Sequence, residues 1–524
     1  MWRKIVNYGS ESSKIIFFLL LLGFFLRFFH LSDQSLWEDE LASLKVAQLP
    51  LTGILHFSPE MTELNPPLYF VLLHYCIKFF GYSEMAIRLI SVLSGTFSIL
   101  LIYLVGKKLF TNNTGTIAAL ILCLSPFHIR YSQEARNYSL LVFFALLSIY
   151  FLLKLVNKYN LKNAVGYSLS TILLLYTGTV SIFVWLAQNF FVFFHFFWKK
   201  EKKSDFYAKS WLKIQLVVAI SWALWIPELV RQSSSISQGW WLSPPTLEGL
   251  YFSFLEFCGG LSSVTGTNDF DFSGPLMLAT LFSILCLLSP FEIKEIIPVS
   301  QNNDFFPKPG FRHFIDEMQL QVRVGKFESI FLCIILIFSC FLLPFILSFL
   351  VKPIFMSRYV IIASLGIFLL AAQGTFALPK TGGKAISIVC IVVFSVLGII
   401  EYFSVPIKPE WRKAASYAQE KTLKGETIVV SSARCKNSFA YYFPEERNEI
   451  IPFPVSKGMI DSETMSELFP RISKENKVLL VISRNVFGDV NLLLSEMNKY
   501  FRPVSAIELF GIQIIEFKKH IQKN

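Results

Sequence analysis

Apolar runs of bilayer length constrain this chain more than anything else in it. Ile15–Leu31, Met85–Val105, Gly115–Phe127, Tyr138–Leu155, Ile214–Pro227, Pro275–Pro290, Phe327–Leu350, Tyr359–Leu378 and Ala385–Phe403 are each bounded by charge or proline. Two more runs lie between Ala164 and Trp198, with a break near Tyr176-Thr177-Gly178. A spanning helix needs about 20 apolar residues, so these segments predict about eleven crossings. Hydrophobic residues make up 53% of the chain and charged residues 16%. A soluble chain has no interior large enough for that surface, so the expected class is an α-helical polytopic membrane protein.

Pro66–Phe80 is apolar but short, starts Asn65-Pro66 in helix-capping style, and carries His74 and Lys78 on one face. It is expected to lie in the membrane interface rather than cross. With that assignment Arg3/Lys4/Lys14, Lys107/Lys108, Lys158/Lys162, Lys199–Lys203, Arg312/Arg323/Lys326 and Lys380/Lys384 fall on one side. The acidic triplet Glu38-Asp39-Glu40, Arg130–Arg136, the Trp240-Trp241 loop and Lys352–Arg358 fall on the other. The more basic set is expected in the cytoplasm, which puts the N-terminus inside and the C-terminus outside. The net charge of +11 then comes from basic cytoplasmic loops, and no nucleic-acid partner is expected. The basic N-terminus before Ile15 is expected to be a retained first span, because no small-residue cleavage site follows. The eight cysteines show no CxxC spacing and sit mostly in apolar runs, so they are expected to be small core residues.

Composition changes near Lys408. Trp411–Lys421 has helical spacing, Thr427–Ser431 and Val478–Ser483 have the character of buried strands, Val490–Tyr500 of a helix and Gly511–Phe517 of a last strand. The expected division is a membrane domain over 1–407 and a small extracytoplasmic α/β domain with a parallel sheet over 408–524. Glu228–Ser273 is expected to be a long polar stretch, and Gln301–Lys326 a loop with a short helix.

Three polar clusters fall on the expected outer face: Trp37-Glu38-Asp39-Glu40 followed by Asn65-Pro66-Pro67-Leu68-Tyr69, then Arg130–Tyr138, then Lys352 with Ser357-Arg358-Tyr359. Carboxylates can deprotonate a hydroxyl, and guanidinium groups meet two phosphate oxygens at once. A substrate with a lipid tail and a phosphate head would reach such a site from within the bilayer.

From Arg27 to about Leu378 these phrases resemble the GT-C superfamily of membrane glycosyltransferases, in the bacterial branch similar to protein O-mannosyltransferases and the lipid A aminoarabinose transferase. The resemblance rests on Arg27-Phe28-Phe29-His30-Leu31, Ser35–Glu40, Asn65–Tyr69, Ser83–Leu89, Gly106–Phe110 and Ser125–Tyr138, in that order. Asn65 departs from the pattern, and Phe291–Lys326 is expected to be an insertion. The resemblance implies a multi-pass protein of the cell inner membrane that moves a sugar from a polyprenyl-phosphate donor to a lipid, glycan or protein hydroxyl, with inversion. It implies Asp39 as base, Glu40 beside it to orient it or touch a metal (Mg or Mn), and Glu134 as second acid. Arg136 and Arg358 with Tyr359 would hold the lipid phosphate; Trp37, Asn65, Tyr69 and Tyr138 are further candidates for the substrate site. Two other readings remain, a flippase for lipid-linked sugars and a non-catalytic envelope assembly subunit. Acids clustered at one surface, with no inverted repeat, weigh against the first.

Overall fold

The computed structural model describes residues 2–55, 65–199, 204–235, 242–260, 273–292, 323–324, 327–378, 380–431, 433–444, 448–454, 460, 462–483 and 490–520. The Trp240-Trp241 loop and nearly all of the expected insertion lie outside these residues.

The membrane half is helical. Five helices or helical runs are long and apolar enough to cross a bilayer: Glu84–Leu109, Tyr138–Asn157, Thr179–Phe196, Phe327–Leu350 and Thr381–Ser404. Asn112–Leu124, Leu161–Leu175, Gly274–Leu288 and Ala363–Ala377 are shorter and equally apolar. Trp2–Phe28 is the first helix of the chain. The short helix Leu68–Phe80 rises only about 20 Å over its 13 residues. Phe79 and Phe80 at its end are 76% and 65% exposed, as apolar side chains turned towards lipid would be.

Local chemistry sets the breaks. Ser83 Oγ accepts the Ala86 N–H at the start of Glu84–Leu109, and Asn160 Oδ1 accepts the Asn163 N–H before Leu161–Leu175. The expected run Gly115–Phe127 ends at Leu124, because Pro126 cannot continue a helix and instead opens a second one, Pro126–Ser132. The expected break at Tyr176–Gly178 is present between Leu161–Leu175 and the 3-10 turn Thr179–Ser181. Tyr359–Leu378 is helical only from Ala363; Ser357–Ile362 form turns that place Arg358 and Tyr359 outside the helix. The stretch expected to be polar holds most of the helix Ile226–Ser235 and all of the helix Leu247–Phe257, the second with Leu255 and Phe257 buried. Phe257 packs inward while Tyr251 is exposed, an inner face that the polar residues around it hide in the sequence.

The C-terminal part is a five-stranded sheet in the order β4-β3-β5-β7-β6 (β3 Thr427–Ser431, β4 Ile450–Phe453, β5 Lys477–Ser483, β6 Phe501–Leu509, β7 Ile512–Lys519). A further antiparallel pair, β1 Phe291–Glu292 with β2 Arg323–Val324, brackets the expected insertion. Strands β4, β3 and β5 are parallel, whereas β7 and β6 run antiparallel, so the sheet is mixed and the expectation of a parallel one is corrected. The reason is the connection. A tight turn at Gly511, φ +73°, joins β6 to β7, and so short a link permits only an antiparallel pair. Ile428 and Val430 face a core with Trp411, Ala414 and Phe439, while Val429 faces Leu468, Leu493 and Met497. Helices therefore cover both faces of β3, as period-2 alternation in a buried strand requires.

Glycines let the membrane helices meet closely. A Cβ on Gly106 would come within 2.8 Å of the Gly115 Cα, and one on Gly374 would run into the Leu285 carbonyl. Close approach of backbones through small residues is the usual means of packing helices in lipid. Gly374→Val is expected to cost about 1–3 kcal/mol or more by overpacking. Thermal unfolding of the detergent-purified protein should show a lower midpoint than wild type.

Candidate active site

Trp37 is extended and the helix Glu38–Ala47 begins directly after it, so three carboxylates crowd one helix N-terminus. The positive end of the helix dipole favours them there. They then diverge. Glu38 turns towards the C-terminal domain, where the Cys435 thiol reaches its Oε1 at 3.5 Å, and burial pushes its carboxyl up from the ordinary range. Asp39 is 31% exposed. Glu40 is fully buried.

Glu40 sits in a closed ion network. Arg88 Nε and Nη2 donate to its two oxygens at 2.7 and 2.8 Å, Lys408 Nζ to Oε2 at 3.0 Å, and the Ala135 N–H to Oε1 at 2.9 Å. Burial alone would raise this carboxyl, but Arg88 and Lys408 outweigh it and hold it at about 2. Arg88 also donates to the carbonyls of Leu31, Gln34 and Ser35, and Lys408 to that of Gln133 at 3.2 Å. Of the two roles expected for Glu40, orienting Asp39 or touching a metal, this geometry suits the first: four donors already occupy its oxygens and no solvent reaches it.

Asp39 faces the other way. Its Oδ2 lies 3.3 Å from Arg358 Nη2. The Arg358 guanidinium stacks over Trp37 at 5.7 Å and over Tyr359 at 5.5 Å. Arg136 Nη1 donates to the Asp39 carbonyl at 3.1 Å and to Ser43 Oγ at 3.0 Å, and its guanidinium lies 5.9 Å from the Tyr138 ring. Tyr138 and Tyr359 stand 6.3 Å apart, and the Tyr138 hydroxyl is buried without a hydrogen-bond partner. Asp39, Trp37, Arg136, Tyr138, Arg358 and Tyr359 thus come together from three separate segments.

Other expected residues lie apart from that group. Tyr69 is fully buried with its hydroxyl 3.5 Å from Ser91 Oγ, so it packs the helix Leu68–Phe80 and has no free face for a substrate. Asn65 Oδ1 accepts from Asn137 Nδ2 at 3.1 Å and braces the loop before Tyr138. Glu134 is buried one turn after Arg130, 3.7 Å from its Nε; burial raises its carboxyl against the pull of Lys408 and Arg130. Among the described residues no three His, Cys, Asp or Glu side chains gather to hold a metal ion, and Asp39 faces a guanidinium instead.

The C-terminal domain is seated on this loop. Arg412 and the Tyr442 hydroxyl both bind Glu84, the Leu36 N–H donates to Tyr442 Oη at 2.8 Å, and Gln34 Oε1 accepts from the Ile407 and Lys408 N–H groups. Sequence reasoning gave neither Arg88 nor Lys408 a role. Arg88 had a signal, an arginine inside an apolar run. Lys408 had none, since its partner lies 368 residues away.

Glu40→Gln leaves Arg88 and Lys408 buried without their counter-charge, at an expected cost of about 3–5 kcal/mol at neutral pH. The sign with pH follows from a depressed carboxyl. The stabilisation is complete above pH 4.5, the ordinary value, and is lost as pH falls towards 2. Wild-type melting temperature should drop across that window more steeply than that of the variant.

Residues 64–225 match the sequence profile of the dolichyl-phosphate-mannose-protein mannosyltransferase family. No curated protein matches the chain in sequence. Among solved structures, the oligosaccharyltransferase AglB from the archaeon Archaeoglobus fulgidus aligns over 99% of this chain and 75% of its own, with TM-score 0.51 and 11% identity. Its apo form gives 0.50 and 13% over 98% and 75%. ArnT from Cupriavidus metallidurans gives 0.47 and 11% over 97% and 98%. The chain is a membrane protein of the GT-C glycosyltransferase fold, and across residues 64–225 it carries the sequence signature of the mannosyltransferase family.

Proposed function

We propose that this chain is an inverting glycosyltransferase that moves a sugar from a polyprenyl-phosphate donor to an acceptor hydroxyl on a lipid, glycan or protein. The observation that carries it is the contact of partly exposed Asp39 with Arg358 at 3.3 Å, beside Arg136 and three aromatic rings. The matching family is named for a lipid-phosphate sugar donor, and AglB has been captured with a dolichol-phosphate, which supports the donor class.

Arg358 has two suitors in this reading. Without donor it pairs with Asp39. A donor phosphate takes over the guanidinium, bidentately, and frees the Asp39 carboxylate for the acceptor. Asp39 removes the acceptor proton as its oxygen attacks the anomeric carbon. The bond from that carbon to the phosphate oxygen breaks on the opposite face, and the electron pair leaves with the lipid phosphate. Arg358, with Arg136 behind it, stabilises the charge that develops there. Glu40 is a positioning residue that fixes the helix carrying Asp39.

The site is assigned to the extracytoplasmic face of the inner membrane. Glu84–Leu109 is 26 residues long, about 39 Å, so Glu84 beneath the soluble domain and Lys107-Lys108 lie on opposite sides of a bilayer. The lysine end belongs in the cytoplasm, with the N-terminus, and the soluble domain outside.

Asp39→Asn should reduce sugar transfer in membranes by roughly 10²–10⁴-fold, the usual contribution of a general base. Undiminished transfer refutes the base assignment. A cysteine in place of exposed Lys424 should react with a membrane-impermeant maleimide in intact spheroplasts. Labelling only after lysis reverses the orientation.

A further inference from the structure

Beyond Asp39 lies a second charged cluster whose hydrogen bonds are unspent. Glu256 closes the helix Leu247–Phe257 and is 1% exposed, yet neither of its carboxylate oxygens has a hydrogen-bond partner. No cation lies in ion-pair contact with it among the described residues. An acid in the last turn also opposes the helix dipole, so both location and burial cost stability. Its placement is nonetheless firm. The next residue, Phe257, packs edge-on against Phe127 at 5.1 Å, and the helix ends through Gly259, φ +98°, against Pro126.

Pro126 opens the helix that carries Arg130, whose guanidinium is in electrostatic reach of Glu256. Arg130 is itself under-used. It lies 3.7 Å from Glu134 without a hydrogen bond, its Nε is buried without a partner, and so is Glu134 Oε2. Its guanidinium covers the Tyr131 ring at 5.0 Å, and Tyr131 is in electrostatic reach of Arg130, Glu256, Glu134 and Arg358 together. Two acids and one guanidinium, all more than nine-tenths buried, therefore share one ring with the arginine assigned to the donor phosphate. Buried polar groups left open in this way mark a place for a ligand.

We propose that Arg130, Glu134 and Glu256 form a subsite for the hydroxyl groups of the sugar ring carried on the lipid phosphate. A ring hydroxyl can donate to a carboxylate oxygen and accept from the guanidinium at once, which suits this mixed cluster. An ammonium group could only donate and would meet Arg130 as a like charge. The subsite rests on the donor reading above and adds to it the residues that distinguish a sugar-bearing lipid phosphate from a bare one. Glu256 is the member that sequence reasoning missed, inside a stretch read only as polar.

The test uses the full-length chain in detergent with two probes. One is polyprenyl phosphate without sugar; the other is a panel of polyprenyl-phosphate sugars bearing mannose, glucose, galactose or arabinose. In wild type, at least one sugar should tighten binding about 10-fold over the bare lipid, the value of one charge-assisted hydrogen bond. Glu256→Gln should bind the bare lipid as wild type does and lose that gain, and Arg130→Lys should weaken the same gain. Unliganded Glu256→Gln should melt no lower than wild type, because a carboxylate without partners has been neutralised. The subsite is overturned if no sugar tightens wild-type binding, if the gain survives in Glu256→Gln, or if that variant melts well below wild type. A wild-type chain that binds neither probe overturns the donor assignment, and the subsite with it.

Discussion

A single buried carboxylate, Glu40, holds the membrane helices and the C-terminal domain of this protein in one register. Two cations and one backbone N–H converge on it, from the helix Glu84–Leu109, from the segment before Trp411 and from the loop after Ser132. Ions taken out of water cost several kcal/mol each, so such a network is weak evidence of stability. What it provides is direction. While Arg88 satisfies Glu40, its Nη1 holds the carbonyls of Leu31 and Gln34 and its Nη2 that of Ser35, and that fixes the path of the first loop.

Direction matters because Asp39 is the next residue. Adjacent positions on a helix point about 100° apart, so anchoring Glu40 inward turns Asp39 towards Arg358. Glu38, on the other flank, is anchored against the soluble domain. Three identical charges in sequence thus meet three environments: sealed and paired, open and facing a guanidinium, and buried against a thiol. The chemistry follows the environment rather than the residue type.

Much of this was legible in the sequence. Periodicity located Trp411–Lys421, Thr427–Ser431 and Val490–Tyr500 to the residue, because strands and helices buried on a full face leave an uninterrupted pattern. The clusters around Asp39, Arg136 and Arg358 were visible as charges beside apolar runs, and the structure brings them together. Three things were not legible. The division of labour between Asp39 and Glu40 depends on Arg88 and Lys408, contacts made across 48 and 368 residues. The strand β6 alternates exposed and half-buried residues at a sheet edge, so it lacks the apolar run that marked β3 and β5. Glu256 sits in an amphipathic helix short enough to pass for loop beside its polar flanks.

The position of Lys408 bears on how such a chain can diversify. Composition invites a cut just before it, as though an enzyme in the membrane had been fitted with an exchangeable outer cassette. Its ammonium group nevertheless completes the charge balance around Glu40, and Arg412 and Tyr442 grip Glu84 close by. A foreign domain grafted at that junction would arrive without the cation, and the loop carrying Asp39 would inherit the imbalance. The C-terminal domain can therefore drift freely only on surfaces remote from Lys408, and change is more readily accommodated by remodelling its far face than by replacing it whole.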